Sequence, residues 1–131
     1  MLISISKAFS KNKKTEMTKV GEHITLDIIG TTKEYDPSLY EKVIHDIAKA
    51  AKVTILNISK YKFEPQGFTI LALLAESHIS FHTFPEKGII SFDFFTCGKV
   101  NPSIAIDIIK KEFKHKRIVK KEFNRDTKSL Y

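Results

Sequence analysis

The sequence is poor in several residue types, and each shortage argues against a class of protein. Its 131 residues include one cysteine, no tryptophan, five glycines and four prolines. The single cysteine, Cys97, cannot form an intramolecular disulfide, which argues against a disulfide-stapled secreted fold. With 42% hydrophobic and 28% charged residues, the composition is globular and is not that of a disordered chain. The length predicts one domain.

The sequence also lacks a long apolar run. No stretch approaches the roughly 20 apolar residues that a membrane-spanning helix needs. Residues 1–10 mix apolar and basic residues without the continuous apolar segment of a signal peptide. We therefore expect a cytoplasmic protein with no membrane partner.

Positive charge is abundant but comes almost entirely from lysine. The formal net charge is +7, and Arg117 and Arg125 are the only arginines. Nucleic-acid binding usually combines arginine with exposed aromatic residues in a recognisable motif, which this sequence lacks. We interpret the lysine-rich run at 110–121 as solvated surface and expect no nucleic-acid partner. Residues 1–19 are predicted to form a basic N-terminal arm ahead of a single domain at 20–131.

The spacing of apolar residues predicts strands interrupted by two helices. Period-two alternation over residues 21–30 is typical of a half-buried strand. Asp36-Pro37 is an N-cap followed by proline, and apolar residues then recur at helical spacing as far as Ala51. Asn101-Pro102 opens a second helix. Further strands are predicted at residues 52–63, 68–76, 78–84, 89–96 and 117–123.

This order of elements predicts an α+β two-layer sandwich. The sheet is expected to be largely antiparallel, with both helices packed on one face. The other sheet face would expose apolar side chains in a single chain, so we expect two protomers to meet there.

Reactive side chains concentrate in residues 73–98, LLAESHISFHTFPEKGIISFDFFTCG. The segment contains carboxylates, a hydroxyl, two imidazoles and the single thiol: Glu76, Ser77, His78, His82, Glu86 and Cys97. A metal site on His78, Ser80, His82 and Cys97 lacks a CxxC or HExxH pattern, so no metal is expected. A hydrolase would lack the G-x-S-x-G elbow.

Self-processing is a third chemistry that these residues permit. The Ser77 hydroxyl would attack the Glu76 carbonyl and convert the amide into an ester. Loss of the Ser77 α-proton would then eliminate the ester, and hydrolysis would leave a pyruvoyl group at residue 77. Composition and periodicity do not choose between this chemistry and the others.

Four strings together resemble the bacterial and archaeal S-adenosylmethionine decarboxylases. They are GEHITLDIIG, FEPQGFT, ESHISFHTFPEKG and FDFFTCG, and the resemblance as a whole spans roughly residues 20–123. The resemblance implies a proenzyme that cleaves itself between Glu76 and Ser77, giving chains 1–76 and 77–131. It also implies a pyruvoyl-dependent lyase that decarboxylates S-adenosylmethionine to S-adenosylmethioninamine for spermidine biosynthesis.

The resemblance implies roles for individual residues in processing and catalysis. Ser77 becomes the pyruvoyl group that forms a Schiff base with the substrate. His82 is the processing base, and Thr69 supports processing by binding the ester oxyanion. Cys97 returns a proton to the substrate α-carbon.

The resemblance also implies a substrate site shared between two protomers of a homodimer. Phe63 and Phe84 would stack on the adenine, with Phe63 coming from the other protomer, and Glu86 would bind the ribose hydroxyls. Phe84 stands where the family has tryptophan, and Ile70 where it often has glycine. These departures leave two alternatives open: a sister enzyme acting on ornithine or arginine, or an unprocessed, non-catalytic relative.

One geometrical expectation follows from strand alternation. Ser77 and His82 are five positions apart, so they face opposite sides of an unbroken strand. We therefore expect a kink or bulge between them.

Overall fold

The structure, a computed structural model, describes residues 19–31, 33–75, 77–97 and 100–126. The predicted arm at 1–19 lies outside these residues except for Lys19, which begins the first strand. In chain order the elements are β1 (Lys19–Ile29), α1 (Pro37–Ala51), β2 (Ile55–Lys62), β3 (Phe68–Leu74), β4 (Ser77–Phe84), β5 (Ile89–Cys97), α2 (Ile104–Glu112) and β6 (Arg117–Asp126). A short 3-10 turn, Pro85–Lys87, joins β4 to β5.

The strands form one six-stranded sheet in the order β2-β3-β4-β5-β1-β6. Each neighbouring pair is antiparallel. Strands β2 to β5 form a meander, and β1 lies between β5 and β6. The predicted α+β sandwich with an antiparallel sheet is confirmed, and β4 and β5 are its central strands.

Helix α1 begins and ends where its sequence signals predict. The Asp36 carboxylate accepts a hydrogen bond of 2.9 Å from the Ser38 amide, and Pro37 occupies the first turn. Lys52 adopts a left-handed conformation at φ 59° and ends the helix. Its apolar side is buried against the sheet: Tyr40, Val43, Ile44, Ile47, Ala48 and Ala51.

Both helices pack on the same side of the sheet, which we call the helix face. Ala105 and Ile109 of α2 and the adjoining Phe113 join the α1 residues in one core cluster. In β5 burial alternates strictly, so Phe92, Phe94 and Thr96 point into this core. The rings of Tyr40, Phe81 and Phe113 meet within it.

We call the opposite side the open face, because no helix of the described residues covers it. In β3 its side chains are Thr69, Leu71 and Leu73, and the two leucines are 46% and 55% exposed. On neighbouring β2, Tyr61 pairs with Thr69 and is 64% exposed. An apolar surface of this kind is what the sequence predicted for the uncovered sheet face.

Some element boundaries differ from those predicted. Strand β2 begins at Ile55 instead of residue 52, because Lys52 to Thr54 are used to leave helix α1. Asn101-Pro102 forms a turn, with the Asn101 side chain accepting a hydrogen bond from the Ser103 amide at 3.0 Å, and α2 begins two residues later. Among the described residues, no helix is long and apolar enough to cross a membrane.

Candidate active site

Ser77 is the first residue of β4 and points to the helix face. It pairs with Leu74 of β3 and Thr96 of β5. The residue is 9% exposed, and its Oγ is buried without a hydrogen-bond partner among the described residues. Leaving a buried hydroxyl unpaired costs about 1–3 kcal/mol. Bond formation between Ser77 Oγ and a new partner is therefore favoured. Glu76, the other predicted cleavage residue, lies outside the described residues.

Cys97 is the last residue of β5 and lies beside the start of β4. Its strand neighbour Thr96 pairs with Ser77, while Cys97 itself pairs with Gly21 of β1 and is half-buried on the open face. The Thr96 hydroxyl is buried on the helix face and donates a hydrogen bond of 3.2 Å to the Val100 carbonyl. This bond holds Val100 next to the end of β5. The sheet therefore brings Ser77 and Cys97 to the same end of neighbouring strands.

His82 and Thr69 are brought together farther along the sheet. They pair directly across β4 and β3, both on the open face, and His82 Nδ1 lies 2.9 Å from Thr69 Oγ1. The His82 side chain is exposed. The two residues that the resemblance assigned to processing thus form one hydrogen-bonded pair.

The expected kink between Ser77 and His82 is wrong. The pairing of β4 runs without a shift on both sides, from Ser77 to His82 against β3 and from Ser77 to Phe84 against β5. Five residues of strand at about 3.3 Å each separate Ser77 from His82 by about 16 Å. The two side chains also point to opposite faces, because continuous hydrogen bonding on both edges leaves no room for an extra residue.

The predicted substrate residues lie at the far end of β4. Phe84 is its last residue and is 40% exposed, and Glu86 follows in the exposed 3-10 turn. A cavity of about 330 Å³ opens beside Phe84 on the open face. Its remaining lining comes from the connection after β4 and from β5, β1 and β6: Lys87, Ile89, Ser91, Asp27, Ile29 and Val119.

Asp27 is a polar group of this cavity that sequence reasoning missed. Its carboxylate accepts a hydrogen bond of 3.1 Å from the Ser91 hydroxyl. The alternation of β1 placed Asp27 on the polar side of the strand, and only the pairing of β1 with β5 brings it next to Ser91.

Phe63 follows β2 in the loop that leads to β3. Its amide donates a hydrogen bond to the Gly67 carbonyl at 2.9 Å, and Gly67 has φ 103°, a conformation that favours glycine. The Phe63 ring is 47% exposed and contacts Tyr61 with centroids 4.8 Å apart. The ring is therefore available on the surface for the stacking role that the resemblance implies.

A cluster of rings next to Ser77 was also missed. His78, which follows Ser77, pairs with Phe95 of β5, and Phe95 pairs with His23 of β1. The His23 Nε2 atom lies 3.7 Å from the Asp93 carboxylate. The sequence had suggested His78 only as a metal ligand or a packed histidine. In the described part of the chain, no three His, Cys, Asp or Glu side chains are placed to hold a metal ion.

Known proteins similar to this chain share one description. The family model for S-adenosylmethionine decarboxylase matches residues 22–126. The S-adenosylmethionine decarboxylase proenzyme of Prochlorococcus marinus (strain MIT 9313) is 41% identical over 111 residues, covering 82% of this chain and 89% of that protein. The proenzyme of the same name from Methanococcus maripaludis is 41% identical over 105 residues, covering 78% and 86%.

A solved structure agrees with this comparison. The crystal structure of the adenosylmethionine decarboxylase from Aquifex aeolicus VF5 matches with a TM-score of 0.73 and 33% sequence identity. The match covers 82% of this chain and 92% of that one. On both sequence and fold, the chain belongs to the S-adenosylmethionine decarboxylase family.

Proposed function

We propose that the chain is a self-processing, pyruvoyl-dependent decarboxylase of S-adenosylmethionine. The observation that carries the proposal is the buried, unpaired Ser77 hydroxyl at the start of β4, beside Cys97. The relatives are named as proenzymes, which fits a chain that must be converted before it acts. Glu76-Ser77 is the bond at which we place this conversion.

The Ser77 hydroxyl suits the first step because no hydrogen bond within the described structure competes for it. Attack of Oγ on the Glu76 carbonyl carbon breaks the amide, leaving an ester on Oγ and an amine on residue 77. Removal of the Ser77 α-proton then expels Glu76 as a carboxylate and leaves dehydroalanine. Water replaces the nitrogen, which leaves as ammonia, and residue 77 becomes a pyruvoyl group.

The Thr69–His82 pair suits the proton transfers of this conversion. We place the proton of His82 on Nδ1, where it donates to Thr69 Oγ1 across 2.9 Å. This tautomer leaves the Nε2 lone pair available to accept a proton. It also leaves the Thr69 hydroxyl proton available to an oxyanion. One hydrogen bond thus prepares both groups for their roles.

The pair must be supplied to Ser77 by a second copy of the chain. Within one chain His82 lies about 16 Å along β4 from Ser77 and on the other face. With the open faces together, a two-fold axis near Ser80 would bring His82 of each chain to the Ser77 end of its partner's β4, and Ser77, whose side chain points to the helix face, would turn towards the interface during its conversion. Such a contact is self-complementary and forms two equivalent sites. The exposed leucines Leu71 and Leu73 would be covered in the same interface.

The other open-face groups are suited to substrate binding and to the second proton transfer. Phe84, Glu86 and the cavity of about 330 Å³ offer an aromatic face, a carboxylate and space for the nucleoside. The pyruvoyl group supplies the electron sink that the substrate α-carbon needs while carbon dioxide leaves. The Cys97 thiol, half-buried at the end of β5 next to the start of β4, then donates a proton to that carbon.

Intact mass spectrometry under denaturing conditions tests the processing. Wild type is expected to give chains of residues 1–76 and 77–131, the latter reactive toward a carbonyl probe. Ser77→Ala is the matched control and is expected to stay intact. A wild-type chain that remains whole after long incubation would instead favour a non-catalytic relative.

The substrate is tested by release of carbon dioxide. We expect release from S-adenosylmethionine and not from ornithine or arginine. The names of the relatives do not favour the two amino acids, and release from either of them alone would overturn the substrate assignment.

A further inference from the structure

Processing makes residue 77 the first residue of a chain. Terminal residues are poorly ordered unless contacts hold them, yet a reactive group at this position must stay aligned with Cys97 and the substrate. Strand β4 begins at Ser77, and conversion to a pyruvoyl group removes the Ser77 hydroxyl. The next side chain, that of His78, is the first one able to hold the new end of the chain.

His78 is in contact with two other rings. Its centroid lies 5.7 Å from that of Phe95 with an interplanar angle of 31°, and 6.3 Å from that of His23 in an edge arrangement. Both distances fall within the roughly 4.5–7 Å range of favourable ring pairs. Phe95 is also the residue that pairs with His78 across β4 and β5, so ring contact and backbone pairing act at the same point.

Phe95 is itself held from several sides. A Cβ atom at Gly21 would approach its ring to 2.8 Å, so the ring occupies space that glycine leaves open. The Arg125 guanidinium lies 5.2 Å from the ring centroid. His23, 6.0 Å from Phe95, has its Nε2 3.7 Å from the Asp93 carboxylate. The surface on which His78 packs, which we call the platform, consists of Phe95 and its neighbours on β5, β1 and β6.

The protonation state of His78 suits this contact. His78 is exposed as a whole residue, yet partial desolvation of its imidazole lowers its pKa, and the neighbouring His23 lowers it further, while Asp93 acts in the opposite direction. The imidazole is therefore neutral near pH 7 and packs as an uncharged ring. Cys97 lies two residues beyond Phe95 on the same face of β5, about 7 Å along the strand.

We propose that His78 is a positioning residue that holds the start of the C-terminal chain in the sheet, beside Cys97, through the contact of its ring with Phe95. The proposal rests on the proposed cleavage at Glu76-Ser77. It assigns no proton transfer to His78, and it requires the ring but not the imidazole nitrogens.

Hydrogen exchange of the processed enzyme tests the positioning directly. His78→Ala removes the ring and His78→Phe keeps one. In His78→Ala we expect the amides at residues 79–81 to exchange about three- to tenfold faster, which is the free energy of one ring pair expressed as a ratio of rates. In His78→Phe we expect them to exchange at the wild-type rate. His45→Ala, on the exposed side of α1, is the control and is expected to match wild type.

The fate of residue 77 during turnover provides a second readout. When a proton reaches residue 77 instead of the substrate α-carbon, the substrate nitrogen stays with residue 77 as alanine and the remainder leaves as an aldehyde. Mass spectrometry separates C-terminal chains that begin with alanine from those that keep the pyruvoyl group. We expect alanine to accumulate about three- to tenfold faster per turnover in His78→Ala and at the wild-type rate in His78→Phe.

Two results would overturn the proposal. One is wild-type exchange and wild-type alanine formation in His78→Ala; the other is a defect in His78→Phe as large as that in His78→Ala. If His78→Ala is not cleaved, Phe95→Leu removes the platform while leaving residues 76–78 unchanged, and the same two effects are expected. Failure of the proposed function is distinguishable, because wild type itself would then remain a single chain.

Discussion

The two ends of strand β4 differ in the burial, the hydrogen bonding and the solvent access of their reactive groups. At the Ser77 end a buried hydroxyl has no hydrogen-bond partner among the described residues, the thiol of Cys97 lies on the next strand, and the rings of Phe95 and His23 contact His78. At the Phe84 end the groups are exposed, the Thr69–His82 pair is hydrogen-bonded, and a cavity opens to solvent. The unbroken strand separates Ser77 from His82 by about 16 Å within one chain, and the proposed dimer is the arrangement that would bring the two sets together.

Complementation between two inactive variants tests most directly whether the two ends of β4 act together across two chains. Ser77→Ala keeps the His82 end, and His82→Ala keeps the Ser77 end. We expect each alone to stay uncleaved, whereas co-expression lets the His82 of one chain process the Ser77 of the other. Intact mass spectrometry then detects the 1–76 and 77–131 fragments of the His82→Ala chain. Absence of cleavage in co-purified mixed dimers would mean that His82 acts within its own chain.

Replacing the Cys97 thiol probes the Ser77 end alone. In Cys97→Ala we expect cleavage to continue while turnover of S-adenosylmethionine falls by about 100-fold or more, because a positioned proton donor contributes on that order. Cys97→Ser keeps a smaller donor and is expected to lose less. Mass spectrometry follows cleavage and carbon dioxide release follows turnover. A variant that lost cleavage and turnover equally would assign Cys97 to processing instead.

Removing the Thr69 hydroxyl probes the other end. Thr69→Val is expected to slow cleavage by about 100-fold, since loss of one oxyanion donor has an effect of this size. Thr69→Ser retains the hydroxyl and should cleave at close to the wild-type rate. A time course of the intact mass after synthesis measures both. Equal rates in the two variants would show that the hydrogen bond to His82 is not used in processing.

Enlarging Phe84 probes the Phe84 end of β4 and is expected to have the smallest effect of these changes. Phe84→Trp adds stacking area at the cavity, so the KM for S-adenosylmethionine is expected to fall about two- to tenfold. The kcat and the cleavage rate should not change, because Phe84 takes part in none of the proposed proton transfers. Phe123→Trp, at the Ser77 end, is the matched control for adding an indole to the open face. A change in kcat without a change in KM would remove Phe84 from the substrate site.

The local sequence signals succeeded where a few neighbouring residues decide the structure. Helix α1 was predicted to the residue because Asp36 caps its start with a side-chain hydrogen bond and its apolar spacing runs to Ala51. The alternation over residues 21–30 predicted a half-buried strand, and Ile24, Leu26 and Ile28 of β1 are buried in the core as that pattern requires. The start of α2 was placed two residues early, because Asn101 uses its side chain to stabilise a turn instead of the helix.

The site was predicted less completely than the fold. The resemblance identified Ser77, His82 and Cys97, and their functional roles stay predictions. It did not indicate that His82 pairs with Thr69 or that His78 packs on Phe95. Those contacts join residues on different strands, and no local pattern encodes which strand residues face each other.

By itself the sequence determined which side chains share a face of each strand, because the period of two follows from backbone geometry. It also determined where α1 begins and that the open face would be apolar. Only the tertiary structure decided the register of β3, β4 and β5. That register places Cys97 beside Ser77, pairs His82 with Thr69, and packs His78 against Phe95 and His23. The physical reason is that register depends on hydrogen bonds and packing summed over the whole sheet.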